Sequence, residues 1–357
     1  MTVCIQRLQV KNFRCFSSQT FDLDSPIVVI EGLNGSGKTS LLEALHYACY
    51  LKSFRTHIPR DLIAFESENF FINATCRDHS ITVGSSGGKK QVKVDKKPIT
   101  SYKELREYYR VVTITEDDLL LVKGSPEKRR SFLDHALILL ESSLSTVYKQ
   151  FKQVLDQRNA LLQRNVISQD EFLIWTRKVW ELSQDIQKHR EIYLSGLVKH
   201  VQSLCERYWP DKEYVLRYNK KEIQAGESFE AFVDRSTHLF EREKRYRRSL
   251  FGAHLDDIEI VLNKKKARLF SSRGQQKLIV LLLKIAQVSH LIALHGKEHI
   301  LLLIDDFMTD FDNENLETLM SACLDLEVQI IFASPIKQGP ELIFLNRKNI
   351  PSLKVSI

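Results

Sequence analysis

Apolar and polar positions follow three different rhythms along the chain, and the changes of rhythm divide it. Residues 27–30 (IVVI), 299–307 (HILLLIDDF) and 328–334 (VQIIFAS) are near-continuous apolar runs, which predict strands of a parallel sheet covered on both faces. Residues 71–97 hold short alternating runs, ITV and QVKV, around a GSSGG turn, the pattern of a β-meander. No proline occurs between Pro126 and Pro210, and Gly196 is the only glycine between Gly124 and Gly226; a stretch so free of breakers predicts extended helices. SQDE at 168–171 fits a capping box, with Ser168 as N-cap and Glu171 at N3. RNVISQ then forms the turn of a helical hairpin with arms near 131–164 and 169–206. Its heptads are too short and too irregular for a long coiled coil. The pattern therefore predicts an α/β core made from both ends of the chain, residues 1–130 plus 245–357, with a mainly helical insertion over 131–244.

Composition narrows the class. At 357 residues the chain is long for one core, in keeping with two domains or a large insertion. Its 43% hydrophobic and 27% charged residues exclude a disordered chain. The strongly apolar runs reach about six residues (278–283), short of the roughly 20 that cross a bilayer. MTVCIQRLQV at the N-terminus lacks a basic-then-apolar signal region, so the expectation is a cytoplasmic protein with no membrane partner. Cys4, Cys15, Cys49, Cys76, Cys205 and Cys323 lie far apart with no C-x-x-C pair; they read as small buried hydrophobes rather than a disulfide or zinc framework. The net charge is +7, and basic residues cluster at 89–97, 123–130, 241–248 and 263–268. Each cluster alone is a solvated surface; four together on a nucleotide-binding chain point to a nucleic-acid backbone.

The chemistry starts at EGLNGSGKTS, residues 31–40, between an apolar run and LLEAL. The spacing Gly32-x-x-x-x-Gly37-Lys38-Thr39, in a strand–loop–helix context, is that of a phosphate loop. Glycines let successive N–H groups turn inward on a phosphate. Lys38 adds a point charge for the β- and γ-phosphates, and Thr39 offers a hydroxyl to Mg²⁺. The following helix supplies the positive end of its dipole. Asp305 ends the apolar run LLLID, where its carboxylate reaches Mg²⁺ beside Thr39 through water, and Asp306 is placed to orient or deprotonate the attacking water. Ser272-x-Gly274-Gln275 opens an apolar-periodic helix and makes a second anion site. One triphosphate meets two helix N-termini either through folding of one chain or through head-to-tail pairing of two. Phosphate loop early, S-x-G-Q late, a strand ending in two acids and then TDFD (309–312) is the order of ABC-type ATPases.

The residues match further than that. VKNFRCF (10–16), GLNGSGKTSLLEAL (32–45), KSFRT (52–56), EDDLLLVKGSPEKRRSFLD (116–134), QRNALL (157–162), GAHLDDIEI (252–260), FSSRGQQK (270–277) and IDDFMTDFD (304–312) stand in one order over nearly the whole chain. In these stretches the chain resembles the bacterial RecF family of SMC-like DNA replication and repair ATPases. It departs from that pattern in GAHLDD, where GPHRDD is usual, in TDFD, where S-E-L-D is common, and in having Ser334 near the place of a switch histidine.

The resemblance implies an ABC-type head with a mainly helical second lobe and no long coiled coil. It implies that Gly32, Asn34, Gly35, Gly37, Lys38, Thr39 and Ser40 hold ATP and Mg²⁺. Ser272, Gly274 and Gln275 would meet the γ-phosphate of a partner subunit in an ATP-dependent homodimer. Asp305 with Thr39 would serve the metal, and Asp306, with Lys38, catalysis. Glu116 stands about where a Q-loop residue senses the γ-phosphate. The implied partners are DNA, contacted at ds/ss junctions through phosphates, and RecR, through it RecO and RecA, in the DNA damage (SOS) response. Lys11, Arg14 and Arg55 suit nucleotide or DNA, and a purely structural role fits them equally well. His254 with Asp256 and Asp257 reads as a hydrogen-bonding network or, less readily, a metal cluster. A transporter-energising ABC subunit would need the missing histidine, and an ATP-gated nuclease would need a further domain, for which the 45 residues after TDFD leave no room. Another SMC-like ABC ATPase of DNA maintenance, or a module using ATP only structurally, stays open.

Overall fold

The computed structural model describes residues 3–86, 89–99, 104–105, 108–166, 168–309, 311–334 and 339–357. It divides into two compact units, Met1–Leu119 with Arg273–Ile357, and Leu120–Ser272.

In the first unit two sheets enclose one helix. Ile5–Phe13 (β1) and Phe16–Asp22 (β2) form a hairpin, and β1 pairs on its other side with Asn69–Cys76 (β4). Ser80–Ser86 (β5), Lys89–Val94 (β6) and Lys97–Pro98 (β7) extend this antiparallel sheet in the order β2-β1-β4-β5-β6-β7. The meander expected over 71–97 is there; the two glycines at 87 and 88 of its turn lie outside the described residues. Ile27–Glu31 (β3), Arg110–Ile114 (β8), Ile300–Asp305 (β12), Gln329–Ser334 (β13) and Leu353–Ser356 (β14) make a parallel sheet ordered β14-β3-β13-β12-β8. The continuous apolar runs are its central strands, because both faces are covered and no position has to face water. Lys38–Tyr50 (α1) buries ten of its thirteen residues. Its Leu41, Leu45 and Ala48 share one core with Leu8 and Val10 of β1, Ile72 of β4, Val28 of β3 and Leu301 of β12. The buried side chain of Gln329 fastens the chain's two halves: it accepts from the amides of Cys4 and Ile5 (3.0 and 2.8 Å) and donates to the carbonyls of Ile5, Leu23 and Ser25.

The second unit is mainly helical: Pro126–Leu140 (α2), Leu144–Leu162 (α3), Gln169–Tyr208 (α4), Phe229–Arg235 (α5) and Thr237–Tyr246 (α6). Tyr214–Asn219 (β9), Asp257–Leu262 (β10) and Lys265–Lys266 (β11) add a small antiparallel sheet. The hairpin arm expected as one helix over 131–164 is two, broken where Glu141 takes extended backbone (φ −137°) at a serine-rich turn that competes for backbone hydrogen bonds. Ser168 is the N-cap of α4 as read, but its side chain makes no capping bond. Glu171 pairs with Arg164 instead, at 3.1 Å, so the second half of the capping box is absent.

Two charge networks organise this unit. Arg158, of QRNALL, is fully buried between the rings of Phe172 and Phe251 and forks onto the equally buried Glu243 (3.0 and 2.6 Å). Deleting one member of such a pair costs about 3–5 kcal/mol, because the other charge stays buried alone. Arg129 forks onto Asp257 (2.7 and 3.0 Å), Arg130 donates to the Asp256 carbonyl (2.7 Å), and Arg190 forks onto Asp134. These pairs tie residues 126–134 to 252–257. The division between units accordingly falls near 119 and 272, rather than at the expected 130 and 244.

Candidate nucleotide-binding site

The phosphate loop joins the end of β3 to the start of α1, at the carboxyl edge of the parallel sheet, where open α/β sheets receive ligands. Gly37 caps α1 with φ +115°, and a Cβ there would stand 2.7 Å from Cys15 Sγ and 2.9 Å from Phe16. The β1–β2 turn thus packs so closely that only glycine fits. Gly32 is confined in the same way: a Cβ would come 2.4 Å from Ser36 Oγ. Asn34 and Gly35 are exposed at the tip, whereas Lys38 and Ser40 are buried.

Lys38 is 4% exposed and turns back into the loop, donating to the carbonyls of Gly32 (2.9 Å) and Leu33 (3.1 Å). Thr39 Oγ1 donates to Asp305 Oδ1 at 3.0 Å, joining residues 266 positions apart in sequence. Burial pushes the Asp305 carboxyl up to about 6, with Asp306 adding to the rise while Thr39, Arg55 and Lys38 oppose it. Burial also raises Asp306; Lys38 works against this and Glu116 with it. Asp306 lies in the left-handed region (φ +48°) and its Oδ1, like Ser36 Oγ, is buried without a hydrogen-bond partner. Backbone strain and unsatisfied polar atoms gather where ligands complete a site. Two raised carboxyls, an ammonium resting on carbonyls and an orphaned hydroxyl fit a polyphosphate with a divalent cation.

Other predicted residues are placed as follows. Ser272 immediately precedes Arg273–His295 (α7), and Gly274 and Gln275 are in its first turn. A Cβ on Gly274 would meet nothing within 4 Å, and Ser272 and Gln275 are exposed. Glu116 opens a 3₁₀ turn and pairs with Lys277 of α7 (2.6 Å) and with Arg273 (3.4 Å). Lys277 is fully buried, its ammonium over the Phe307 ring and 3.2 Å from the Phe307 carbonyl. In TDFD, Asp312 is the N-cap of Asn313–Leu324 (α8), accepting from the Asn315 amide at 2.8 Å; Asp310 lies outside the described residues. Arg14 forks onto Glu43 of α1 (2.8 and 2.7 Å) and donates to the Asp61 carbonyl, while Arg55 approaches Glu43 at 3.5 Å. Ser53 bonds the same carboxylate. Lys11 stays exposed on β1. His254 does not join a metal cluster: Asp256 is taken by Gln187, Arg190, Tyr218 and the Lys221 amide, and Asp257 by Arg129.

Glu43 and Lys277, which pair with the predicted residues Arg14, Arg55 and Glu116, are partners that sequence reasoning missed. Glu43 sits inside the ordinary helical stretch LLEAL, and nothing local distinguishes it; only the arginines of NFR and KSFRT, converging on α1, reveal its task.

The family model described as an AAA domain matches residues 7–269. A DNA replication and repair protein RecF of Colwellia psychrerythraea is 30% identical over 342 residues, 94% of this chain and 88% of that protein. The chain belongs to the RecF family. Its Cyanothece counterpart, also a DNA replication and repair protein RecF, is 29% identical over 335 residues. Among solved structures, that of the recombination mediator protein RecF-ATP superposes with a TM-score of 0.83 at 25% identity, covering 94% of this chain and 93% of that one. An SMC head bound to part of ScpA shares the fold alone, at a TM-score of 0.55 and 12% identity. The fold is thus that of RecF and SMC-head ATPases, and the chain is a RecF-family DNA replication and repair protein.

Proposed function

We propose that the chain binds ATP with Mg²⁺ at the phosphate loop and hydrolyses it slowly, using the reaction as a switch on DNA. The observation that carries this reading is the 3.0 Å bond from Thr39 to Asp305, with the unpartnered Oδ1 of the neighbouring Asp306. Gly32, Asn34, Gly35, Gly37, Lys38, Thr39 and Ser40 would cradle the phosphates, and Thr39 and Asp305 would hold the cation. When bound, Mg²⁺ neutralises charge on the β- and γ-phosphate oxygens. Lys38 then leaves the Gly32 and Leu33 carbonyls for phosphate oxygens. Asp306 orients the attacking water and accepts its proton. An aspartate here is one methylene shorter than the glutamate of many ABC enzymes, which favours slow turnover.

Ser272, Gly274 and Gln275, at an exposed helix start, suit the γ-phosphate of a second copy, so that ATP draws two chains together. The closed dimer would hold duplex DNA near single-strand gaps in the cytoplasm and, with RecR and RecO, help bring RecA onto the single strand. Support for these partners is the family membership and the RecFOR pathway to which the RecF-ATP structure belongs. Turnover and sedimentation test the reading. Asp306→Asn should lower the hydrolysis rate about 10²-fold or more while ATP is still bound, and Ser272→Arg should abolish ATP-dependent pairing. Equal near-zero rates in native protein and Asp306→Asn would leave ATP a structural role only.

A further inference from the structure

A segment outside every motif of the sequence holds the entry of the phosphate loop. Leu353–Ser356 (β14) runs parallel to β3 at the edge of the five-stranded sheet. Its Leu353 stands opposite Val28, Lys354 opposite Val29, Val355 opposite Ile30 and Ser356 opposite Glu31. Glu31 is the last residue of β3 and is matched on its other side by Ser334 of β13. One residue past β14, the Ile357 amide donates to the Glu31 carbonyl at 3.0 Å. The Ile357 carbonyl oxygen then lies so near the loop that a Cβ on Gly32 would stand 2.9 Å from it. Gly32 has no left-handed φ, so room rather than dihedral freedom reserves that place for glycine.

The peptide between Glu31 and Gly32 is where the chain leaves the sheet and begins to curl. The Glu31 carbonyl takes the Ile357 N–H, and the next carbonyl, that of Gly32, takes the Lys38 ammonium at 2.9 Å. Peptide units are planar and only two dihedrals separate neighbours, so the tilt of the first constrains the second. Side chains and N–H groups of a strand both alternate with a period of two, and the Ile357 bond fixes the phase. Leu353, Val355 and Ile357 share a face that packs on the core holding α1, and they send their N–H groups toward β3. Lys354 and Ser356 are exposed and send theirs away from it.

We propose that Ile357 is a positioning residue for the nucleotide. Its main-chain N–H and carbonyl fix the first peptide of the phosphate loop, and through it the place from which Lys38 reaches phosphate. This rests on the reading that the loop binds ATP. The hold sits on an edge strand, a part of a sheet that can open while the interior stays paired. If Ile357 favours bound ATP, bound ATP must favour the pairing of Ile357 by the same factor.

The full native chain is compared with three variants. Ile357→Pro removes the one N–H that meets Glu31. Ser356→Pro removes an N–H that faces away from β3, where an edge strand tolerates proline. Ile357→Ala keeps both main-chain groups and shortens the side chain. ATP affinity, turnover and thermal unfolding without nucleotide are measured for each. Ile357→Pro should weaken ATP binding about three- to tenfold, the worth of one backbone hydrogen bond, and raise KM in step while kcat at saturating ATP stays near native. Ser356→Pro and Ile357→Ala should bind ATP within about twofold of native, since each keeps that bond. Because this position opens locally rather than with the whole fold, the unfolding temperature should stay near native in all three. In native protein, ATP should slow amide exchange at Ile357 about three- to tenfold. Native affinity in Ile357→Pro, a loss as large in Ser356→Pro or Ile357→Ala, or exchange at Ile357 indifferent to ATP overturns the proposal. So does a loss of ATP binding in Ile357→Pro that only follows a lower unfolding temperature, since it marks a purely structural role. ATP held as tightly by Lys38→Ala as by native protein would instead overturn the phosphate-loop reading, and the proposal with it.

Discussion

Single buried side chains set much of this molecule's chemistry. His254 is held near 4 rather than 6.5, first by burial and further by Arg130, Arg158 and Arg190, and its Nδ1 has no partner. A histidine that stays neutral when folded gives stability that is whole above pH 6.5 and is lost as pH falls toward 4, because the unfolded chain takes the proton first. Urea denaturation at pH 4.5 and pH 7 should show His254→Gln losing about 2–3 kcal/mol less between the two than native protein; equal losses would mean that the ring finds a proton acceptor. At this scale the sequence was most informative where chemistry is local. Lys38, Thr39, Asp305 and Asp306 are legible because a loop of fixed spacing and a strand end place them. Glu43 and Lys277 are not, because what each does is set by partners brought near only by folding.

Elements were legible wherever covering on both faces forces an unbroken apolar run, as in β3, β12 and β13. They blurred where helices end, since Glu141 and the turn before α4 stop helices by local side-chain competition that periodicity does not register. The start of α7 shows what such elements can couple. Its Lys277 is buried against Phe307 and reaches Glu116, so the signature helix, the residue after the paired aspartates and the turn carrying Glu116 share one cation. Glu116→Ala removes that ammonium's carboxylate partner and should cost about 1–2 kcal/mol, the Phe307 carbonyl and water remaining as partial substitutes. Adding Lys277→Met should restore most of the loss, measured by chemical denaturation of the single and double variants. Additive losses would mean that the two residues are independent.

For the molecule as a whole, charge distribution separates structural cations from free ones. In the 123–130 cluster Arg129 and Arg130 are committed to Asp257 and Asp256. By contrast Lys93, Lys96 and Lys97 at the edge of the antiparallel sheet, Arg242, Arg245 and Arg247 around the end of α6, and Lys264 and Lys265 in the β10–β11 turn are exposed. Duplex DNA binding should be steeply salt-dependent and indifferent to sequence. Replacing Arg242, Arg245 and Arg247 by glutamate should reduce the log–log salt slope by about 2–3; an unchanged slope would remove this face from the DNA contact. The order of motifs conveyed the class, but not that residues 120–130 and 245–272 side with the helical unit, because that depends on ion pairs between segments over a hundred positions apart.

The strand that seats the phosphate loop has both its neighbours, β13 and β14, from the far end of the chain. On the ribosome, about 300 residues must be added after β3 emerges, which takes roughly 15–60 s at ordinary elongation rates. Throughout that interval the loop hangs from a strand with two bare edges, and Gln329 has not yet arrived to clasp the amino-terminal hairpin. Nucleotide can be gripped only once residues 329–356 have been added, so the phosphate loop stays without its two flanking strands until then.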